Sequence, residues 1–294
     1  MTATVTATVT AIVWTEHRLA LPQGTLVLRQ AAPDAAGPAV LLLHGISSGA
    51  GSWDALTDAL PGRRLLAWDA PGYGLSAPLP GPQPGAPAYA EAAALALQAL
   101  GVGAVLVVGH SLGAIVATAL VARLMNDPAG PQATGLLLLS PARGYAADPP
   151  RAAQVRADRL QALAQQGVAG LAQTVSRRLL SALASPAQHA QIAQVAQGLT
   201  ASGYAQAVAL LCGSDLPSLA APFLAHLAGQ PPALPARVAC GTDDIVTPPA
   251  ACAALAAALG LPFSGLPGAG HACTVEQPQA VAALIAAMLN NETA

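Results

Sequence analysis

The segment AVLVVGHSLGAIVATALVARLM, from Ala104 to Met125, decides how the chain is read. Its first five residues form an unbroken apolar run with the length of a strand buried on both faces. Gly109-His110-Ser111-Leu112-Gly113 follows at once, and the residues from Leu112 to Met125 are small or apolar, as a closely packed helix requires. A chain that passes from strand to helix so abruptly holds the serine between them in a strained conformation, and the flanking glycines leave room for the turn. The Ser111 hydroxyl is thereby presented at a strand's carboxyl end and beside a helix N-terminus, which favours developing negative charge. Such a serine is a candidate nucleophile.

The same strand-then-helix pattern extends in both directions. Apolar runs recur at residues 39–43, 64–68, 135–139 and 237–240, and helical stretches at 53–60, 88–100, 249–259 and 277–289. Their alternation predicts an α/β fold, an open and mostly parallel sheet with helices on both faces. Upstream, residues 11–18 and 24–30 flank a Pro-Gln-Gly turn and read as an antiparallel hairpin, with residues 1–13 as an edge strand. From Arg143 to Pro235 no strand is expected. Leu160, Leu163, Val168, Leu171, Val175, Leu179 and Leu183 recur there at helical spacing, while Ser185-Pro186 and Asp215 read as helix starts. The expected organisation is a core of residues 1–142 and 236–294, interrupted by a helical cap at 143–235.

Composition narrows the chemistry. The chain has 294 residues, 54% hydrophobic and 9% charged, with a net charge of −2, so no basic face for nucleic acid or an anionic membrane is expected. All twelve basic residues are arginine. Without lysine, Schiff-base enzymes, Walker-type phosphate loops and a kinase catalytic lysine are excluded. Mean hydropathy is +0.51, yet no stretch reaches the roughly 20 apolar residues that span a bilayer. No signal peptide is expected, since residues 1–13 lack a basic region followed by a compact apolar one. Cys212, Cys240, Cys252 and Cys273 show neither a C-x-x-C pair nor metal-ligand spacing, so no metal or disulfide framework is expected and a reducing cytoplasm is the expected compartment.

An activated serine needs a base and a carboxylate to orient it. Gly241-Thr242-Asp243-Asp244 places an acid just beyond a late strand, and Gly268-Ala269-Gly270-His271 is expected to follow the last one. Gly45-Ile46-Ser47-Ser48-Gly49 also matches the serine pattern, but a Gly-rich loop rather than a helix comes next. That loop suits a different role. The backbone N–H groups of Ile46 and Leu112 are candidate oxyanion donors, a type of interaction that contributes ~2.7–4 kcal/mol in a transition state.

Taken together, His44-Gly45, Asp69-x-Pro71-Gly72-x-Gly74-x-Ser76, the Gly109 to Gly113 turn, Gly241-x-x-Asp244-x-x-x-Pro248 and Gly270-His271 resemble the α/β-hydrolase superfamily over nearly the whole chain. The resemblance implies an α/β-hydrolase fold and a Ser111, His271 and Asp244 triad. It selects Asp244 over Asp243 by the spacing to Gly241 and Pro248. A serine nucleophile disfavours the haloalkane dehalogenase and epoxide hydrolase branches. The implied activity is cofactor-independent hydrolysis of a small carboxylic ester or lactone through an acyl-enzyme. A thioester substrate, C–C bond cleavage of the meta-cleavage product type, and a non-catalytic binding member are the alternatives; against C–C cleavage, no proline stands between Ile46 and Ser52. A looser likeness to lactonases of aromatic degradation nominates Arg143, Arg177 and Arg178 as ligands for an acidic substrate, against the alternative of a solvated helix face. His44 and His110 are expected to be structural, and Asp69 and Ser76 to organise a turn.

Overall fold

The computed structural model describes residues 13–229 and 234–290. Its strands are β1 (Thr15–Leu21), β2 (Gly24–Ala31), β3 (Ala39–Leu43), β4 (Leu65–Asp69), β5 (Ala104–His110), β6 (Gln132–Leu139), β7 (Ala236–Gly241) and β8 (Phe263–Leu266). They form one sheet in the order β1-β2-β4-β3-β5-β6-β7-β8. The hairpin β1-β2 and the β2-β4 pair are antiparallel, and every pairing from β4 through β3 to β8 is parallel. The hairpin expected from residue 11 begins at Thr15, and residues 1–12 of the expected edge strand lie outside the described residues. β8 has no apolar run to announce it, because its Phe-Ser-Gly-Leu sequence is largely exposed at the sheet edge.

The continuous apolar runs have a direct physical cause. Successive side chains of a strand point to opposite faces. In β3 and β5, Leu41, Leu43, Val105 and Val107 enter one core with α2 (Ala86–Ala99) and α3 (Leu112–Met125). Val40, Leu42, Leu106 and Val108 enter the other, with Trp53, Leu56 of α1 (Leu56–Ala59), and Val281 and Ile285 of the last helix, α9 (Pro278–Leu289). Both faces are covered, so neither tolerates a polar position. Each such Val, Leu or Ile contributes about 1.5–3 kcal/mol by leaving water.

Four helices lie between β6 and β7: α4 (Pro149–Leu179), α5 (Pro186–Ala196), α6 (Ala201–Cys212) and α7 (Leu216–Gly229). Asp148 caps α4 by accepting from Arg151 N, and Ser185 and Gln188 form a reciprocal capping box on α5. Asp215 accepts from Ser218 N at the start of α7. α4 packs on α5 and α6, whereas α7 packs on α3 and on α8 (Pro249–Leu259), in the layer that covers the sheet. Among the described residues no helix is long and apolar enough to cross a membrane.

Within α4 the helix is broken at Gly167, at φ 62 and ψ 177. This backbone region is essentially reserved for glycine. A Cβ added there meets nothing within 4 Å, so backbone strain is the whole cost of a substitution. Gly167→Ala should therefore lower stability by about 1–3 kcal/mol, read as a shifted urea midpoint with an unchanged slope.

Candidate active site

Ser111 stands between β5 and α3 at φ 54 and ψ −117, a conformation costly for a residue with a side chain. Its surroundings hold it there. Ser111 N–H donates to Leu139 O at 2.9 Å, and its carbonyl accepts from Ala114 and Ala142 N–H. Room for the turn comes from glycines: a Cβ on Gly113 would collide with the Leu43 carbonyl, and one on Gly109 would stand 2.5 Å from Gly113 O. Gly45 also packs against the serine, since a Cβ there would be 3.0 Å from Ser111 Cβ.

His271, which lines the same cavity as Ser111, meets Asp244 side chain to side chain. Asp244 Oδ2 accepts from His271 Nδ1 at 2.8 Å, with both side chains buried. That bond puts the ring proton on Nδ1 and leaves Nε2 as the basic nitrogen. Asp244 Oδ1 accepts from Val246 N and Thr247 N, and Oδ2 also accepts from Thr247 Oγ1 at 2.9 Å. Burial alone pushes the Asp244 carboxyl up, but the hydrogen bond and charge of His271 and the Thr247 N–H outweigh it and hold the carboxyl below the usual range. Asp243, its neighbour, is exposed and donates its N–H to Ala269 O.

A cavity of about 740 Å³ opens at the carboxyl ends of the strands and is lined by Ser111, His271, Ile46, Leu112 and Thr247, among others. Leu112 N–H opens α3 and has no intrahelical acceptor. The Ile46 peptide is oriented by Tyr73, whose hydroxyl donates to Ile46 O at 2.7 Å and whose ring packs edge-on against His44. Ser47 lines the same cavity, but it sits in a loop that leads into a short 3₁₀ helix, Ala50–Trp53.

The comparisons with known proteins agree with this architecture. The alpha/beta hydrolase family model matches residues 40–284. The chain belongs to the alpha/beta hydrolase family. Among solved structures, this hydrolase is similar to a thermophilic esterase from Thermogutta terrifontis with malate bound, at 26% identity and a TM-score of 0.72, over 95% of this chain and 100% of that one. It is similar to a hydrolase from Pseudomonas aeruginosa PA01 at 25% identity and a TM-score of 0.72, over 93% and 98% of the two chains. The enol-lactonase from Burkholderia xenovorans LB400 shares its fold at 23% identity and a TM-score of 0.75, over 93% and 100%. A search of curated proteins returned no match.

Two further buried histidines, His44 and His110, are fixed as neutral rings. His44 Nδ1 donates to Gly45 O and its Nε2 accepts from Ala70 N–H, so both nitrogens are engaged without a charge. His110 Nε2 donates to the His271 carbonyl at 2.7 Å and so helps to hold the backbone that carries His271. Glu276 completes that support: its two carboxylate oxygens accept from Gly270 N and Ser181 N. Asp69 and Ser76 hold neighbouring loops, Asp69 by accepting from Ala50 N and Ser76 by bridging Val27 N and Asp69 O.

Of the three nominated arginines, Arg143 and Arg178 line the cavity and Arg177 does not. Consecutive helical residues point about 100° apart, so Arg178 can border the cavity while Arg177 faces away from it, although both remain exposed to solvent. Arg151 and Arg159, which are not among the three nominated arginines, also line the cavity. Their spacing around buried Val155, at i and i+4 on either side, was the available signal. Thr247, Tyr73 and Glu276 had no sequence signal, because each acts through a contact distant in the chain. Ser140, buried at φ 43 at the end of β6, is a second strained residue there and accepts at its carbonyl from Thr247 Oγ1. Among the described residues no cluster of His, Cys, Asp and Glu is suited to a metal.

Burial, with the nearby His271, lowers the His110 pKa from 6.5 to about 3. Unfolded His110 therefore binds a proton below pH 6.5 that the folded ring refuses. Its contribution to stability is complete above pH 6.5 and is lost as the pH falls toward 3. Between pH 6 and 4.5, urea unfolding of His110→Gln should show a stability slope shallower than wild type by up to about 1.4 kcal/mol per pH unit.

Proposed function

We propose that the chain is a cofactor-independent serine hydrolase acting on a small carboxylic ester or lactone through an acyl-enzyme. The observation that carries this reading is the buried 2.8 Å bond from His271 to Asp244, with His271 lining one cavity with a serine held at φ 54 on a strand-to-helix turn. The similarity to an esterase at 26% identity supports an ester substrate.

Ser111 Oγ attacks the acyl carbonyl while His271 Nε2 takes its proton. Asp244 holds the imidazole in the tautomer that leaves Nε2 basic, and its charge stabilises the imidazolium that forms. The N–H groups of Ile46 and Leu112 receive the negative charge on the carbonyl oxygen, assisted by the α3 N-terminus. His271 returns the proton to the leaving oxygen, then takes one from the water that attacks the acyl-serine and passes it to Ser111 Oγ as the acyl–oxygen bond breaks. Free acid and the original Ser111 result. In this reading α4, α5 and α6 form the cap over the site, and α7 returns to the core layer.

A fluorophosphonate probe should label the wild-type protein and fail to label Ser111→Ala. Labelling lost in Ser47→Ala but kept in Ser111→Ala would move the nucleophile to the other loop. On p-nitrophenyl acetate, Asp244→Asn should reduce kcat by roughly 10³–10⁴-fold while the fold is retained, because the imidazole loses its orienting partner.

A further inference from the structure

Charge is scarce in this chain, yet four of its twelve arginines, Arg143, Arg151, Arg159 and Arg178, line the cavity that holds Ser111 and His271. Among the described residues Asp148 is the one carboxylate lining it, and Asp148 is engaged in capping α4. Arg143 lies 3.5 Å from Asp215, and Arg159 donates to the Tyr204 hydroxyl. The guanidinium groups of Arg151 and Arg178 have no partner among the described residues. Elsewhere, Arg18, Arg29 and Arg123 each have a carboxylate partner.

The backbone explains how two such distant residues reach one cavity. Unbroken, the 31 residues of α4 would extend about 46 Å at 1.5 Å per residue. The break at Gly167 divides it into two arms. On the first, Arg151, Val155 and Arg159 share a face; on the second, Val175, Arg178 and Leu179 line the cavity. An excess of positive charge around a concave site concentrates anions there, and each guanidinium offers a two-donor fork that fits a carboxylate.

We propose that this cavity takes a substrate bearing a free carboxylate in addition to its scissile acyl group, with Arg151 and Arg178 as the specificity-determining residues. The proposal rests on the hydrolytic reading above for its kinetic test and stands apart from it in its binding test.

The kinetic test compares p-nitrophenyl hemiglutarate, which is anionic, with its neutral methyl ester. The wild type should show at least a tenfold higher kcat/KM for the anionic ester, a preference that shrinks as sodium chloride rises from 50 to 500 mM. In Arg151→Gln/Arg178→Gln the ratio should collapse toward one, while Arg177→Gln, one residue away and outside the cavity, keeps it. A wild-type ratio of one or less, or a ratio that the double variant leaves in place, overturns the proposal. Should neither ester be hydrolysed, the proposed reaction fails and calorimetry decides the ligand class. Glutarate that binds Ser111→Ala protein, and binds at least tenfold more weakly once Arg151 and Arg178 are replaced, supports it; no binding overturns it.

Discussion

The separation of β5 from α3 by a single residue is the constraint on which the rest of the site depends. It forces Ser111 to φ 54, and it brings the first turn of α3 so close to β3 that position 113 has no room for a side chain. Local preference opposes this geometry. It persists because the buried faces of β3, β5 and α3 over-determine it, with Leu41, Leu43, Val105, Val107, Ile115 and Leu120 in one core. The apolar excess of the chain thus has a mechanical use: a sheet covered on both faces can hold a strained residue at the carboxyl end of a central strand.

Around that point, polar groups contributed by separate loops are tied to one another. Asp244 accepts three hydrogen bonds from Val246 and Thr247 before it meets His271, so its orientation is set by the loop after β7. His271 is held at its backbone by His110 and, through Gly270, by Glu276. Glu276 also accepts from Ser181 at the end of α4, which links the histidine loop to the helices above it. Burial keeps His44 and His110 uncharged, and this suits their work, since each uses a ring N–H or lone pair to fix backbone beside the site.

The helices between β6 and β7 divide by what they touch. α7 buries Leu216, Ala220 and Phe223 with the core helices, while α4 turns its residues over the mouth of the strands. Mean burial along α4 is low, with Val155, Ala172, Val175 and Ser176 its buried residues, so its arginines retain access to solvent as well as to the cavity.

Sequence by itself determined the fold class, the serine turn and the residues that meet there, because these rest on short-range rules. Strand runs alternate with helical stretches, glycines stand where a Cβ would collide, and Ser185-Pro186 starts a helix as its type dictates. Asp244 and His271 were also legible, though only through a motif, since nothing in either residue states that they lie 2.8 Å apart. The tertiary structure alone decided which arginines face the cavity. Arg177 and Arg178 are equivalent in composition and differ by one helical step, and Arg151 reaches the same cavity as Arg178 only through the bend at Gly167. Which way a helix face points is set by its packing against distant elements, and that information is absent from any local stretch of the chain.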